Sequence, residues 1–311
     1  MDREFDVVIA GGGIAGMSAG VAAARLGRST LVLTGDVLGG QLVSIEKIEG
    51  FPGFPEGVPG YDLCPMTQEQ AEAAGAEFMM ASVEGMTAEG DRWRLTTGEG
   101  ELLARAVIVA TGTSLKKLDV PGEERLHGKG VSHCASCDAP LLRGKVAAVV
   151  GGGDSAMQEA LTLAAHASKV ILLHEGEALT GQAAWRDRVS VEPKIEIRAG
   201  ARVTEILGEN EVTGLRVAGA GGAVADVGTA AVFACVGLRP NTDFLAGLLD
   251  LDAGGRVRVD EFSRASARGV CAAGNVRSGS PHRAVSAAGD GAAAAVAIDL
   301  YLASGAWRDA G

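Results

Sequence analysis

The sequence predicts an α/β fold carrying two Rossmann-like dinucleotide-binding units. Three observations predict it. A short apolar run followed by a glycine-rich turn and a helical pattern occurs twice, at Gly11 to Gly16 and at Gly151 to Ala156. Glycine is abundant, 46 of 311 residues, without a three-residue repeat, which suits many tight strand-to-helix turns. Alanine and aliphatic residues dominate while aromatics are only 4%, and the length suits about two domains.

Taken in order, Phe5-Asp6-Val7-Val8-Ile9-Ala10 reads as a buried parallel strand. Gly11-Gly12-Gly13-Ile14-Ala15-Gly16 follows, a helical pattern runs to Gly27, and Ser29 to Thr34 is a second apolar run. The glycines let the backbone turn tightly and approach a pyrophosphate, which sits where free N–H groups and the helix dipole favour negative charge. The usual acidic residue after the second strand is replaced by Thr34-Gly35-Asp36, so either Asp36 or the Thr34 hydroxyl serves a ribose. Gly39-Gly40-Gln41 is a loop, Phe51 to Pro55 a rigid turn, Tyr61 to Ala74 a helix, and Ser82 to Leu103 a β-meander. Ala106 to Ala110 is another buried strand, ending at Thr111-Gly112.

Between the two fingerprints lies Cys134-Ala135-Ser136-Cys137-Asp138. Two cysteines at this spacing can close a small disulfide, hold half of a metal site or simply occupy a surface turn. A thiolate is the reactive form, and Asp138 is suited to deliver a proton to a departing thiolate if burial raises its pKa. Its placement between two dinucleotide fingerprints favours the redox reading.

Lys145 to Val150 is the next strand, and Gly151-Gly152-Gly153-Asp154-Ser155-Ala156 has the permitted alanine at its third small position. A helix to about Ala167 and a strand over Lys169 to Leu173 complete the second β-α-β unit. Glu175 stands where a carboxylate binds ribose hydroxyls, and Glu175-Gly176-Glu177 offers no arginine pair for a 2′-phosphate, which favours NADH over NADPH. Arg186 and Arg188 lie in the following helix, within recruitment of a phosphate. Lys194 to Val227 reads as a second meander, and Ala231 to Val236 and Arg256 to Asp260 as strands. A strand over Gly269 to Ala273 ends in Gly274-Asn275, where an amide is suited to a flavin ribityl chain. A long helix spans Pro281 to Leu302 with its start near Ala284.

A net charge of −11 argues against nucleic-acid and anionic-membrane partners. Five cysteines, Cys64, Cys134, Cys137, Cys235 and Cys271, are too few and odd in number for a secreted disulfide framework. Cys64, Cys235 and Cys271 read as small buried apolar residues. Met1 leads through charged residues straight into a strand, and no apolar run is expected to span a bilayer, so a soluble cytoplasmic protein is expected. No second C-x-x-C completes a zinc site, His127 and His133 being the nearest candidates, and no metal is expected.

With these pieces in place, the chain resembles the low-molecular-weight thioredoxin reductase family of two-domain flavoproteins. The resemblance covers nearly the whole length. It rests on Gly11 to Gly16, Gly39-Gly40-Gln41, Ala110-Thr111-Gly112, Cys134-x-x-Cys137-Asp138, Gly151 to Ala156, Gly237-x-x-Pro240-Asn241-Thr242, and Gly274 onward into Arg283-Ala284. In the related lipoamide-dehydrogenase type the cysteines follow the first fingerprint, where this chain has Gly39-Gly40-Gln41-Leu42. The resemblance implies two three-layer ββα domains, the second inserted into the first: an FAD domain over 1–115 and 244–311, and a nicotinamide domain with the redox pair over 116–243. It implies FAD bound by Gly11, Gly13, Ile14, Ala15, Gly16, Thr34, Gly40, Gln41, Leu42, Ala110, Thr111, Gly112, Gly274, Asn275, His282, Arg283 and Ala284. A nicotinamide dinucleotide is expected at Gly151, Gly153, Asp154, Ser155 and Glu175.

The family mechanism is hydride transfer from NADH or NADPH to flavin N5, then reduction of the disulfide. By resemblance Cys137 faces the flavin, Cys134 attacks the disulfide of thioredoxin or a thioredoxin-like protein, and Asp138 is the acid/base. The inserted domain swings about hinges near Leu115 to Leu118 and Leu238 to Phe244. A homodimer is expected.

The chain departs from the family pattern in four places. His-Arg-Arg-x-x-x-Arg is here His174-Glu175-Gly176-Glu177-Ala178-Leu179-Thr180, without the 2′-phosphate site. The ribityl Gly-Asp is Gly274-Asn275. Tyr-Arg-Gln-Ala is Pro281-His282-Arg283-Ala284, and a cation at Arg283 stabilises anionic reduced flavin. Gly50 replaces an asparagine before the aromatic turn. These changes leave a second reading open: a related flavoenzyme that does not use a nicotinamide, taking electrons from a carrier such as ferredoxin or oxidising a small dithiol with oxygen.

Overall fold

The structure is a computed structural model and describes residues 3–245 and 247–307. In chain order it comprises β1 (Arg3–Ala10), α1 (Ile14–Arg25), β2 (Thr30–Leu33), α2 (Gly60–Ala73), β3 (Glu77–Met79), β4 (Val83–Glu89), β5 (Arg92–Thr97), β6 (Gly100–Val109), β7 (Thr113–Leu115), β8 (Val131–Ser132) and α3 (Ala135–Asp138). These are followed by β9 (Val146–Val150), α4 (Asp154–Ala164), β10 (Lys169–His174), α5 (Ala183–Val191), β11 (Ile195–Ala199), β12 (Arg202–Leu207), β13 (Gly214–Ala218), β14 (Val224–Gly228), β15 (Ala231–Ala234), β16 (Leu238–Pro240), β17 (Val270–Ala272) and α6 (Ala284–Ser304). The chain folds into two units, 1–114 with 239–311, and 115–238, the second inserted into the first.

The first unit is built on β3-β2-β1-β6-β5-β4, with β17 also paired to β6. β3, β2, β1, β6 and β17 run parallel, and β4 and β5 add an antiparallel meander. β6 makes this possible because one of its edges is shared. Its first half pairs with β5 and its last three residues with β17. The meander strand and the buried strand expected separately are therefore one ten-residue strand. Alternation along β1 sends Val7 and Ile9 to the helix side, with Met17, Ala294 and Ile298. Val8 goes to the meander side, with Leu33, Met86 and Leu95.

α1 and α6 pack closely because Gly291 faces Ala15; a Cβ on Gly291 would lie 2.9 Å from the Ala15 carbonyl carbon. The expectation about apolar runs is corrected here: α6, with 21 residues and a mean hydropathy of 1.3 over its most apolar window, is long and apolar enough by length and composition to cross a membrane. Its two carboxylates are tied into the first unit instead, Asp299 to Arg28 and Asp290 to Arg277.

In the second unit the parallel sheet β11-β10-β9-β15-β8 has helices on one face and the meander β12-β13-β14 on the other. β11 was expected in the meander; its pairing with β10 from Val170↔Ile195 to His174↔Ala199 puts it at the edge of the parallel sheet. Arg256 to Asp260, expected as a strand, makes only isolated bridges through Val257.

The second crossing between units falls at 238/239 rather than 243/244. The reason is local: the Asn241 side chain donates to the Thr111 carbonyl (2.9 Å), Thr111 Oγ1 donates to the Asn241 carbonyl (2.7 Å), and Thr242 Oγ1 donates to the Gly255 carbonyl (2.9 Å). Residues 239–243 are thereby held by the first unit. β7 and β16, which carry the two crossings, pair with one another.

Candidate active site

In the first unit the turn after β1 forms a cradle. Gly11 has φ +117°, and a Cβ there would lie 2.6 Å from the Ala110 carbonyl carbon, so only glycine fits. Gly13 is the N-cap of α1, carries no side-chain cap, and a Cβ on it would point into open space. The first turn of α1 holds no acidic residue. This is a helix N-terminus with room for a close-lying phosphate, and the residues fit the pyrophosphate of a dinucleotide.

Gly39 to Leu42 run alongside the cradle: Gly39 N–H donates to the Gly12 carbonyl (2.9 Å), and Gly40 lies over Gly13. Gln41 is engaged within the protein, its amide donating to the Thr113 carbonyl and lying 3.3 Å from Thr113 Oγ1. Thr34 Oγ1 donates to the Gly35 carbonyl (3.0 Å), while Asp36 is exposed. Gly274, at φ +76°, sits against Ala15 on the first turn of α1. That contact brings Asn275 to the same end of the sheet as Ile14, Gly16 and Ala110-Thr111-Gly112. Asn275 Oδ1 accepts from Ser280 Oγ (3.2 Å). His282 has φ +55°, and burial, then Arg256 and Arg283, push its pKa down. Arg283 is the N-cap of α6 and Ala284 its first residue.

The second unit repeats the construction. Gly151 has φ +146° and a Cβ on it would lie 2.9 Å from the Cys235 carbonyl carbon. Gly153 caps α4 with open space in front of it, so these residues also fit a dinucleotide. Asp154, in the first turn of α4, accepts from Gln182 N–H (2.6 Å), and Ser155 is exposed. His174, at the end of β10, is 4% exposed with Nδ1 unpartnered, and it packs beside Gly152. Glu175 and Gly176 follow it and are exposed. On α5 the Arg188 guanidinium stacks on Trp185, 4.6 Å from the ring centroid.

Cys134 and Cys137 form a disulfide with Cα atoms 5.4 Å apart. Cys134 is the N-cap of α3 and its Sγ accepts the Cys137 N–H (3.3 Å). Cys134 and Asp138 are half-buried and Cys137 is exposed. Ala135 and Ala139 anchor α3 in the core beside Met157 and Ala160 of α4. The His127 and His133 rings lie tilted to one another with centroids 6.1 Å apart, and among the described residues no cluster of three or more His, Cys, Asp or Glu is placed to hold a metal. Cys64 and Cys271 are buried, and burial pushes the Cys64 thiol up to about 11.

The sequence reading missed Glu159, whose Oε2 accepts the Ala135 N–H at 2.5 Å, and Asp290, whose Oδ2 accepts the Gly274 N–H at 3.1 Å. Both were findable. Glu159 falls on the apolar stripe of α4 at helical spacing from Ala156 and Leu163, and Asp290 interrupts an alanine-rich helix.

Residues 5–291 match the pyridine nucleotide-disulphide oxidoreductase family. The chain is 38% identical over 308 residues to the thioredoxin reductase of Streptomyces clavuligerus, covering 98% of this chain and 96% of that protein. It is 34% identical over 303 residues to the thioredoxin reductase of Treponema pallidum, covering 97% and 98%. Among solved structures, the Lactococcus lactis thioredoxin reductase superposes with a TM-score of 0.93 at 33% identity, covering 96% of this chain and 99% of that one. The T. acidophilum thioredoxin reductase has the same TM-score and identity, with 97% and 100% covered.

Proposed function

Because the chain belongs to the low-molecular-weight thioredoxin reductases of the pyridine nucleotide-disulphide oxidoreductase family, we propose that it carries electrons from NADH, in preference to NADPH, to the Cys134–Cys137 disulfide and on to thioredoxin or a thioredoxin-like protein. Family membership makes it a flavoprotein disulfide reductase with FAD and a nicotinamide donor. The observation that carries the reading is a disulfide in a chain with two glycine cradles, one in each unit and each with an open helix N-cap. Bound FAD supplies a two-electron acceptor and donor that the side chains themselves lack.

Gly11, Gly13, Ile14, Ala15 and Gly16 would hold the FAD pyrophosphate, and Thr34 or its backbone the adenosine ribose. Gly40 to Leu42, Ala110 to Gly112, Gly274-Asn275 and His282 to Ala284 would line the rest of the cofactor. Gly151, Gly153, Asp154 and Ser155 would hold the nicotinamide dinucleotide, and Glu175 its ribose hydroxyls. A carboxylate repels a 2′-phosphate, which is the physical basis for preferring NADH. Cys134 would attack the partner disulfide, Cys137 would exchange electrons with the flavin, and Asp138 would hold or deliver the proton of a departing sulfur. The reading includes a swing of the inserted unit about the paired crossings, a homodimer, and a cytoplasmic location.

Anaerobic titration of the FAD-loaded protein tests the donor. Bleaching of the flavin at much lower NADH than NADPH is expected, and equal use of the two contradicts the Glu175 reading. The second reading, a flavoenzyme independent of nicotinamides, is favoured by one feature, the absence of arginine from residues 175–180 directly after β10. It predicts bleaching by dithionite or a small dithiol and by neither nicotinamide.

A further inference from the structure

We propose that Glu159 is a positioning residue for the redox pair: its carboxylate, fixed on the backbone N–H next to Cys134, ionises as a coupled pair with the Cys134 thiol. The inference rests on the reading that Cys134 and Cys137 cycle between disulfide and dithiol. Glu159 Oε2 accepts the Ala135 N–H at 2.5 Å, and two residues on the Cys137 N–H points at Cys134 Sγ at 3.3 Å. A carboxylate and a prospective thiolate are thus served by neighbouring backbone donors of one short turn.

Among the described residues no lysine or arginine forms an ion pair with Glu159. Next to it are Cys235 after β15 and the Ala135 end of α3, a turn that also carries Cys134, Cys137 and Asp138. On α4 itself the nearest acid is Asp154, five residues earlier and bound to Gln182. Burial pushes the Glu159 pKa up more than the Ala135 N–H draws it down. Burial, and then the Glu159 charge, push the neighbouring Cys235 thiol up to about 12, so Cys235 stays neutral and does not compete.

A carboxylate held on the Ala135 N–H and a thiolate on the residue before it, in a partly desolvated place, disfavour one another. Two electrons break the sulfur–sulfur bond and two protons complete the dithiol. Cys134–SH with Glu159–COO⁻ then exchanges with Cys134–S⁻ and Glu159–COOH, one proton moving and the net charge unchanged. Reactive thiolate becomes available without exporting a proton to solvent. A merely structural Glu159 would accept the Ala135 N–H equally well as glutamine.

The test compares FAD-loaded C137S and C137S/E159Q after chemical reduction. Iodoacetamide labelling of Cys134 is followed by peptide mass spectrometry from about pH 5 to pH 10. With Glu159 present the labelling rate is expected to rise in two steps. In E159Q it collapses to one step with a midpoint about one pH unit below the upper step, giving about fivefold faster labelling at that midpoint. Superimposable profiles overturn the proposal. A second measurement needs no substitution. The infrared difference spectrum of the unaltered protein, reduced minus oxidised, should gain a protonated carboxyl band through the pH range of the first step. Absence of that band at every pH overturns the proposal as well. Neither readout uses a nicotinamide or thioredoxin, so failure here is distinguishable from failure of the electron-transfer reading.

Discussion

Arg277 and Asp290 form a two-pronged ion pair, Nε to Oδ2 and Nη2 to Oδ1 both at 2.7 Å, and the same Oδ2 accepts the Gly274 N–H. The side chains are 19% and 14% exposed, so the pair is largely desolvated. It fastens the turn that presents Asn275 to the middle of α6. Removing one partner leaves a buried charge and an unpaired N–H together. Asp290→Ala is expected to lower unfolding stability by about 3 kcal/mol, read by urea denaturation, and to release FAD at lower denaturant than the unaltered protein. An unchanged unfolding midpoint with full flavin retention would remove Asp290 from the account.

The two glycine turns make a paired prediction. Gly11→Ala forces a methyl group onto the Ala110–Thr111 peptide, at 2.6 Å from its carbonyl carbon, and should yield protein without flavin absorbance. Gly151→Ala meets Cys235 in the same way in the other unit. It should keep its flavin, bleach with dithionite, and fail to bleach with NADH. If Gly151→Ala lost flavin and Gly11→Ala kept it, the assignment of the two cradles would be reversed.

Donor choice is predicted to follow two exposed residues. Glu175 and Gly176 lie just past β10, and neither has positive φ or a crowded Cβ. Installing arginines, Glu175→Arg with Gly176→Arg, should raise kcat/KM for NADPH relative to NADH by about tenfold or more, since each charge-assisted phosphate contact contributes about 1–2 kcal/mol. The ratio of the two kcat/KM values is the measurement, and an unmoved ratio would place donor selection elsewhere.

Much of this is legible in the sequence alone. The cradle glycines recur at one short spacing after an apolar run, so Gly11, Gly13, Gly151 and Gly153 declare themselves in a single chain, although the contacts of Gly11 with Ala110 and of Gly151 with Cys235 do not. The cysteine pair declares itself by its spacing and by its order relative to the fingerprints. What stayed hidden depends on distant partners. β11 alternates like a meander strand, and only its pairing with β10 assigns it to the parallel sheet. The segment at Arg256 to Asp260 has strand-like composition but lacks a continuous ladder. Residues 239–243 look like linker until Asn241 is seen exchanging hydrogen bonds with Thr111. The link from Gln41 to Thr113 spans 72 residues and has no local signature.

Stability should fall in acid through identifiable groups of the first unit. For Asp6, burial alone would raise its pKa, yet hydrogen bonds from Arg105 and from Ser29 N–H and Oγ hold it below its usual value. Asp260 is held down in the same sense by Arg264 and Phe262 N–H against burial. A depressed folded pKa contributes stability that is present above the unfolded value of about 4 and is lost as pH falls through the folded value. Urea midpoints are therefore expected to fall as pH drops below about 4, and Asp6→Asn with Asp260→Asn should flatten that fall. An undiminished slope in the double variant would assign acid sensitivity to other groups.

The most direct check on sulfur-to-flavin electron exchange is an anaerobic dithionite titration of FAD-loaded protein, with thiols counted by alkylation. Complete flavin bleaching should take about four electron equivalents per subunit in the unaltered protein, with two new thiols at Cys134 and Cys137, and about two in Cys134→Ser. Bleaching complete after about two equivalents in both, with the disulfide intact, would contradict the account.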